Sequence, residues 1–480
     1  MSIISYSLFR LVTLSWSRPC HGAETASRKG LFGMRTGIRD LRPSESTETG
    51  NRVDRQFPTR WSTLGVVALV SVAATVLLFT TVNPRTPLTG LFMGGVDLDV
   101  YRDGARRAMS DLPLYTEPVI HDLLYTYTPF STLMFVPFGF LPGGADKYIW
   151  MGFNVVLLVA IIALCWRMLG YRIDRTIVVA SALLAAASVF FEPVRSTLYF
   201  GQINLVLMAL VLWDASRGEQ SRLKGIGVGI AAGIKLTPAY FVLYYIALRQ
   251  WRAAAVATIT IAATIGVSWA VLPKDSWQYW SETFFDSTRI ADEGHAANQS
   301  LRGALTRTIG GPVPTWLWLL LAVVIVAASM WVVARLHRSG ENLLSVTVAG
   351  FTAVVVSPFS WSHHWVWFVP LLVWCVHRAV TNAWWWLGVV TLFGVAGSWA
   401  YQFPGRLVVG FYLFPGTWVP WNVVVNLYLW VYLAVLAVAA VVAIRSTRDD
   451  SQNLALAETV QAPDVGIVAP VPKPTGEIPA

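Results

Sequence analysis

Charged residues are scarce in this chain of 480 residues, since Asp, Glu, Lys and Arg make up 13% and hydrophobic residues 55%. A soluble protein of this size needs far more polar surface, so the composition excludes an ordinary soluble enzyme. The apolar runs last about 20 residues and do not alternate, which excludes a membrane-spanning β-barrel. The composition therefore predicts an all-α polytopic membrane protein.

Cysteine is also rare, and Cys20, Cys165 and Cys375 are too few for a disulfide framework. No secretory signal is convincing, because residues 7–16 are short, weakly apolar and interrupted by Arg10. The net charge of +9 need not indicate nucleic acid, since the first 60 residues hold ten Lys/Arg against five Asp/Glu. That excess is typical of the cytoplasmic tail of a membrane protein. We expect no nucleic-acid partner.

The chain is expected to form one membrane domain, residues 61–445, between two mostly disordered cytoplasmic tails, residues 1–60 and 446–480. The apolar runs cover residues 61–82, 128–141, 147–166, 176–191, 202–213, 225–248, 253–272, 315–334, 343–361, 364–377, 384–401 and 421–444. The Lys/Arg clusters can all face the cytoplasm if the runs 128–141 and 225–248 do not cross fully. This predicts ten full crossings within a range of 10 to 13, with short re-entrant or interfacial helices in the first outer loop.

An internal repeat is missing, and ionisable residues inside the apolar runs are few: Glu192 lies at a span end, and only Lys235 is deep. Transporters commonly show internal repeats and several buried ionisable groups, so both observations weaken a transporter interpretation. The unusual chemistry lies in the predicted outer loops.

The first outer loop gathers four aspartates and three arginines between residues 94 and 111. Asp97 and Asp99 precede a predicted amphipathic helix, residues 100–112, whose apolar face would rest on the membrane. In one interpretation Asp99 caps this helix and Asp97 is solvated. In the other, a carboxylate acts as a general base that removes the proton of a hydroxyl substrate. An acid–x–acid pair alone is a weak metal site.

Further candidates are polar residues beside apolar runs. His363 and His364 are adjacent, so their imidazoles point about 100° apart and do not form a ready chelating pair. They form either an interfacial Trp/His belt or a contact to a phosphate or sugar hydroxyl. Lys235, in "GIKLTP", either snorkels or meets an anion. The amides and arginines of "HAANQSLRGALTR", residues 295–307, could bind sugar and phosphate, although residues 298–300 also match a glycosylation sequon.

Six motifs occur in one order: "DLDVYRDGARRAM", "YTYTPF", "YFGQINL", "GIKLTP", "NQSLRGALTR" and "SPFSWSHHW". Together they resemble the polyprenol-phosphate-mannose-dependent α-(1→2)-mannosyltransferases of the actinobacterial cell envelope, which have the GT-C architecture. The resemblance covers residues 66–445. The long N-terminal tail departs from the family, and a start at Met34 would lose nothing catalytic.

The resemblance implies an inverting transfer of mannose, on the periplasmic face of the cell membrane, from a polyprenyl phosphate donor. The acceptor would be a phosphatidylinositol mannoside, lipomannan or lipoarabinomannan. The family's D-L-x-V-Y pattern places the catalytic base at Asp97, and no metal or resident cofactor is implied. The residues expected to bind substrate lie in the same motifs: Asp99, Tyr101, Arg102, Tyr127, Gln202, Asn204, Lys235, Asn298, Gln299, Arg302, His363 and His364.

Three alternatives stay open at this point. The first is a polyprenyl-phosphate-arabinose-dependent arabinofuranosyltransferase of the same architecture, since a few loop side chains decide which sugar is recognised. The second is a flippase or transporter of a lipid-linked sugar. The third is a structural subunit of an envelope-assembly complex, in which the first-loop carboxylates would be dispensable.

Overall fold

The computed structural model describes residues 55, 57, 61–86, 89–141, 144–286, 289–403, 406–414 and 421–461. In chain order the helices are α1 (Trp61–Thr81), α2 (Val96–Met109), α3 (Pro129–Gly139), α4 (Ala145–Met168), α5 (Arg175–Ser188), α6 (Glu192–Phe200), α7 (Asn204–Ala215), α8 (Ile226–Ile234), α9 (Tyr240–Ala247), α10 (Trp251–Val271), α11 (Pro273–Ser281), α12 (Leu301–Ile309), α13 (Thr315–Arg338), α14 (Asn342–Val356), α15 (Phe368–Thr381), α16 (Trp385–Ala396), α17 (Trp421–Val424) and α18 (Leu427–Gln461). One antiparallel hairpin joins β1 (Ala400–Phe403) to β2 (Arg406–Val409). The predicted all-α class is confirmed for the described residues.

Five helices are long and apolar enough to cross a bilayer: α1, α4, α10, α13 and the part of α18 that ends at Arg445. Helices of this length reach roughly 30 Å, the thickness of the hydrocarbon core. The pair α6 and α7, bent by 118°, is a sixth candidate. The shorter apolar helices α3, α5, α14, α15 and α16 contain 11 to 15 residues. A polytopic membrane protein is confirmed, whereas the predicted count of 10 to 13 spans is not reached by helix length among the described residues.

The run at residues 225–248 was predicted not to cross the membrane fully, and it does not form one long helix. It separates into α8 and α9 at Lys235, whose backbone is extended. Pro238 follows three residues later, in the 3₁₀ turn Thr237–Ala239. A proline cannot donate to the preceding turn and disfavours helix in the residue before it, which explains the interruption here. The break places the Lys235 side chain between two helix ends rather than along a continuous span.

The core centres on α14 and α15. Of the 15 residues of α14, 13 are buried, and this helix packs against α13, α15 and α18. The long helices are different, because only 22% of the apolar window is buried in each of α1, α10 and α13. Large exposed side chains on them include Leu69 and Val323. Apolar faces of this extent are expected to contact lipid.

The outer helix α2 begins earlier than predicted. It starts at Val96, so Asp97 and Asp99 lie within its first turn rather than before it. The N-cap is Gly95, and no side chain caps this end. The interpretation of Asp99 as the N-cap is therefore wrong. Both carboxylates nevertheless lie where the helix dipole favours negative charge.

The apolar face predicted to rest on the membrane comprises Val100, Ala108, Met109 and Leu112. Val100 is buried within the protein, where α2 packs against α3 and α6. Met109, at the end of α2, and Leu112, beyond it, are exposed. The start of this face is therefore a protein contact, and contact of its far end with the membrane stays a prediction.

The predicted tails are described only in part. Residues 1–54 lie outside the described residues, but the backbone of Arg55 pairs with residues 170 and 172, and Phe57 is buried against Trp166 and Tyr171. At the other end α18 continues past Arg445 to Gln461. Residues 446–461 thus continue the last helix beyond the predicted end of the membrane domain, and the domain limits stay a prediction. Residues 462–480 lie outside the described residues.

Candidate functional site

Asp97 lies in the first turn of α2 and faces the bend that joins α6 to α7. The side-chain nitrogen Nε2 of buried Gln202 donates to Oδ2 of Asp97 at 2.6 Å. The Gln202 oxygen accepts from the hydroxyls of Tyr101, at 2.8 Å, and Tyr127, at 3.1 Å. Because hydroxyl donors require an oxygen there, the two tyrosines set the orientation of the amide and direct its N–H group to Asp97. One carboxylate oxygen is thereby fixed, and the other is available to accept a proton.

The local fold explains why these groups meet. Asp97 and Tyr101 are four residues apart on α2 and share one face of that helix. Gly201 ends α6 with a φ of +75°, and a Cβ atom there would lie 2.7 Å from Cβ of Leu98. Glycine therefore allows both the sharp bend and the close approach of α2. The residue after that bend is Gln202, which reaches Asp97.

The environment of Asp97 shifts its acidity. Burial raises the pKa of the carboxyl from 3.8 to about 6, and it outweighs the lowering effects of the Gln202 hydrogen bond and the Lys235 charge. A carboxylate with a pKa near 6 is a stronger base than an ordinary aspartate and is still ionised at neutral pH. These properties suit a general base.

Lys235 forms the second part of the site. Its Nζ lies 2.8 Å from Nε2 of His364 and 3.3 Å from Oδ1 of Asn204, and it sits 5.2 Å from the centre of the Tyr127 ring. Burial and the Lys235 charge lower the pKa of His364, which favours a neutral imidazole that accepts from the ammonium. Since Tyr127 contacts both Gln202 and Lys235, the base and the cation belong to one connected site.

A small cavity, partly open to the outside, lies beside this cation. Lys235, Asn204 and His364 contribute its polar wall. Its remaining wall is largely apolar and includes Leu207, Met208, Val211, Phe241, Val354 and Trp367. A cation at one side of an apolar cavity suits a ligand that has a phosphate and a hydrocarbon chain.

The structure separates the roles of the two histidines. The backbone oxygen of His363 accepts from Nδ2 of Asn204, at 2.9 Å, and from Oγ1 of Thr197, at 3.1 Å. The His363 ring is buried and packs against Phe200 and Trp361. His364 alone of the pair contacts Lys235. Both residues build the site, and His364 is the one whose ring meets the Lys235 ammonium.

Asp99 and Arg102 point away from Asp97. Arg102 bonds Asp99 at 2.8 Å, Asp103 at 3.0 Å and the buried Asp146 at 2.7 Å. Residues two apart on a helix do not face each other, so Asp97 and Asp99 do not form a carboxylate pair. Within the described ranges there is no group of three or more His, Cys, Asp or Glu that could hold a metal ion. The absence of a metal requirement stays a prediction.

The loop motif around Asn298 lies away from Asp97 and Lys235. Asn298 Oδ1 accepts from the backbone N–H of Ser360, and Gln299 Nε2 donates to the backbone oxygen of Val425 at 2.7 Å. Arg302 pairs with Glu293 at 2.9 Å and lies over the ring of Trp318. Asn298 is fully buried, so the sequon is no accessible glycosylation site. These contacts support the residues around the 3₁₀ turn Ser362–His364 (the histidine turn) and the start of α18. None of them reaches Asp97 or Lys235 in the described part of the chain.

The sequence interpretation missed Glu192 as a part of this region. It is 2% exposed and accepts hydrogen bonds from Ser362 and Tyr428, which lie 170 and 236 residues later in the chain. The available signal was a carboxylate at the end of an apolar run, because buried ionisable residues in membrane proteins are costly and usually functional.

Comparisons with known proteins find similarity over much of the chain. The sequence model of glycosyltransferase family 87 matches residues 125–358. A phosphatidylinositol pentamannoside mannosyltransferase of Mycolicibacterium smegmatis, named as polyprenol-phosphate-mannose-dependent and α-(1-2)-specific, is 33% identical over 67% of this chain and 81% of its own length. A phosphatidylinositol mannoside mannosyltransferase of Mycobacterium tuberculosis, with the same donor and linkage in its name, is 34% identical over 58% of this chain and 69% of its own.

A more distant match is an α-(1->3)-arabinofuranosyltransferase of Mycobacterium tuberculosis, 28% identical over 47% of this chain and 52% of its own length. No solved structure matches significantly. The extent and identity of the mannosyltransferase matches decide the relationship, and the chain belongs to glycosyltransferase family 87.

Proposed function

We propose that this protein transfers mannose from polyprenyl-phosphate-mannose to an α-(1→2) position of a phosphatidylinositol mannoside. The names of the two mannosyltransferase relatives support this donor and acceptor class. The observation that carries the proposal is the pairing of an oriented carboxylate, Asp97, with a cation, Lys235, that opens onto an apolar cavity. The polyprenyl-phosphate sugar is a substrate, and the proposal includes no resident cofactor or metal.

In the proposed reaction an acceptor hydroxyl attacks the anomeric carbon of the donor mannose. The new bond joins the hydroxyl oxygen to that carbon, and the bond from the carbon to the phosphate oxygen breaks. Asp97 takes the hydroxyl proton as the new bond forms. A direct displacement of this kind inverts the configuration at the anomeric carbon. Polyprenyl phosphate leaves with the electron pair of the broken bond.

Charge develops on the leaving phosphate, so a fixed cation beside it lowers the barrier. Lys235 supplies that cation, and His364 and Asn204 hold its ammonium group. The hydrocarbon chain of the donor would occupy the cavity lined by Leu207, Val211 and Trp367. Binding from the membrane explains why the enzyme is embedded in lipid.

The proposed orientation places this site on the periplasmic face of the cell membrane and both termini in the cytoplasm. The helical membrane-embedded fold supports a membrane location. Arginines at the opposite helix ends support the orientation, because cytoplasmic loops carry an excess of positive charge. Examples are Arg167, Arg249 and Arg338.

The test is sugar transfer by membranes that contain the full chain, with membranes lacking it as the control. Radiolabelled polyprenyl-phosphate-mannose and polyprenyl-phosphate-arabinose are offered separately with phosphatidylinositol mannosides or lipomannan. The proposal predicts labelled mannose on phosphatidylinositol mannosides, in a linkage that an α-(1→2)-specific mannosidase removes. Arabinose transfer alone, or passage of the donor across the membrane without transfer, would overturn the proposal and support an arabinosyltransferase or a flippase.

A further inference from the structure

A second buried polar cluster lies at the start of α6, around Glu192. Its carboxylate accepts from four hydroxyls: Ser196 at 2.5 Å, Ser362 at 2.9 Å, Tyr428 at 3.0 Å and Tyr412 at 3.3 Å. These donors come from α6 itself, the histidine turn (Ser362–His364), α18 and the turn Phe411–Leu413. Four hydroxyl groups that point at one carboxyl suit the ionised form, which only accepts hydrogen bonds.

The direct partners of this buried carboxylate are hydroxyl groups. Arg195, one turn further along α6, is 3% exposed and lies over the ring of Tyr199, and in the described part of the chain it forms no ion pair with Glu192. A buried charge is tolerated where hydrogen bonds compensate it. The reaction proposed above does not use Glu192. So costly a buried carboxylate needs a function of its own or a structural purpose close to the site.

The contact with Ser362 indicates that purpose. Ser362 begins the 3₁₀ turn Ser362–His364, and α6 packs directly against this turn. Thr197, on the same helix, holds the backbone oxygen of His363. At its other end α6 leads into Gln202, which holds Asp97. This short helix therefore contacts the turn that carries His364, and the bend that follows it carries the residue that holds the base.

We propose that Glu192 is a positioning residue: through Ser362 it holds the histidine turn so that His364 meets the Lys235 ammonium. This inference rests on the proposed function, since it assigns Glu192 to the subsite for the donor phosphate. Glu192 would not touch the substrate. Its loss would weaken donor binding and leave acceptor binding unchanged.

The experiment compares two equal changes at one carboxylate. Ser362→Ala removes the hydrogen bond between Glu192 and the histidine turn, whereas Ser196→Ala removes a hydrogen bond to the same carboxylate within α6. KM for polyprenyl-phosphate-mannose and KM for the acceptor are measured separately in membranes with matched amounts of each variant. We expect Ser362→Ala to raise the donor KM about tenfold, the effect of losing a hydrogen bond to a charged group. Ser196→Ala should stay within about twofold of wild type, and acceptor KM should be unchanged in both.

A third variant, Glu192→Met, has no hydrogen-bonding oxygen and should raise the donor KM at least as much as Ser362→Ala. Once Glu192 has been changed in this way, Ser362→Ala should add little, because both remove the same link. Equal effects of the two serine changes, or equal changes in donor and acceptor KM, would overturn the inference. A failure of Glu192→Met to accumulate leaves the serine pair as the deciding comparison. If wild type transfers no mannose, the proposed function itself fails, which is a different result from an active wild type whose serine variants do not differ.

Discussion

The two faces of helix α2 carry aspartates with different roles: Asp97 lies on the reactive face and Asp99 on the anchoring face. On one face Asp97 accepts from the side chain of Gln202, the only side-chain donor it has among the described residues, and the charge of Lys235 acts on it. On the other face Asp99 shares Arg102 with Asp103 and the buried Asp146. Burial raises the pKa of both carboxyls. They differ in their partners, because Asp97 forms no ion pair in the described part of the chain and Asp99 pairs with an arginine that ties α2 to the start of α4.

The contrast shows how one short charged stretch provides both chemistry and anchoring. A carboxylate that already pairs with an arginine is a poor base, because the pair favours its ionised form. A carboxylate held by an amide keeps its basicity and its direction. The anchoring face therefore positions the reactive face, and substitutions on the two faces should have different consequences.

The largest effect on the reactive face, apart from Asp97 itself, should come from Lys235→Met. Removing a fixed cation from a developing phosphate charge is expected to lower kcat/KM by about 10²- to 10³-fold. Lys224→Met is the matched control, since Lys224 is also a buried lysine but donates to the backbone oxygen of Arg217. Transfer rates normalised to the amount of folded protein check this, and equal losses in both variants would contradict it.

On the anchoring face, Arg102→Leu should destabilise the protein by about 3 kcal/mol, since it leaves the buried Asp146 without its cation. Thermal unfolding in detergent measures this. The folded fraction that survives should keep a donor KM close to that of wild type. Arg106→Leu, at a mostly exposed partner of Asp103, is the control and should lower the stability far less. A normal melting temperature with a raised donor KM would reverse the assignment of the two faces.

The pH profile sharpens the description of the reactive face. Because the pKa of Asp97 is raised to about 6 and the base must be deprotonated, kcat/KM should rise with pH up to about that value. It should fall about tenfold per pH unit below it. In Gln202→Met the loss of the hydrogen bond that lowers this pKa should move the acidic limb upward by about one unit. Gln299→Met, a buried glutamine elsewhere, should leave the limb in place; an unmoved limb in Gln202→Met would count against the predicted contact.

The smallest effect should follow Arg302→Gln. The sequence interpretation offered Arg302 for binding phosphate, but its partners are Glu293 and Trp318. Losing a partly exposed ion pair costs on the order of 1 kcal/mol of stability, and the donor KM should change less than about threefold. A donor KM that rises as much as in Lys235→Met would restore the original interpretation.

The sequence was sufficient for the fold class and for much of the site. Long apolar runs require helices in lipid, and the motifs carry Asp97, Gln202, Lys235 and His364, which the structure brings together. What it could not supply is the direction of each side chain. Asp97 and Asp99 look equivalent in sequence, and one helical offset of two residues separates their roles.

Glu192 illustrates a different limit. Its partners Ser362, Tyr412 and Tyr428 are 170 to 236 residues away, and no local pattern brings them together. The burial of Val100, expected on the membrane side of α2, has a related cause, because α2 packs against α3 and α6. Tertiary contacts decide such cases, and composition and periodicity do not contain them.

The most direct test of the central claim is mannose transfer by Asp97→Asn and Asp99→Asn at equal expression. Removing the general base should lower kcat/KM by about 10³-fold, whereas removing the paired carboxylate should lower it less than about threefold. That outcome would establish Asp97 as the base and α2 as a helix with two separate faces. Equal loss in both variants, or an active Asp97→Asn variant, would contradict the account.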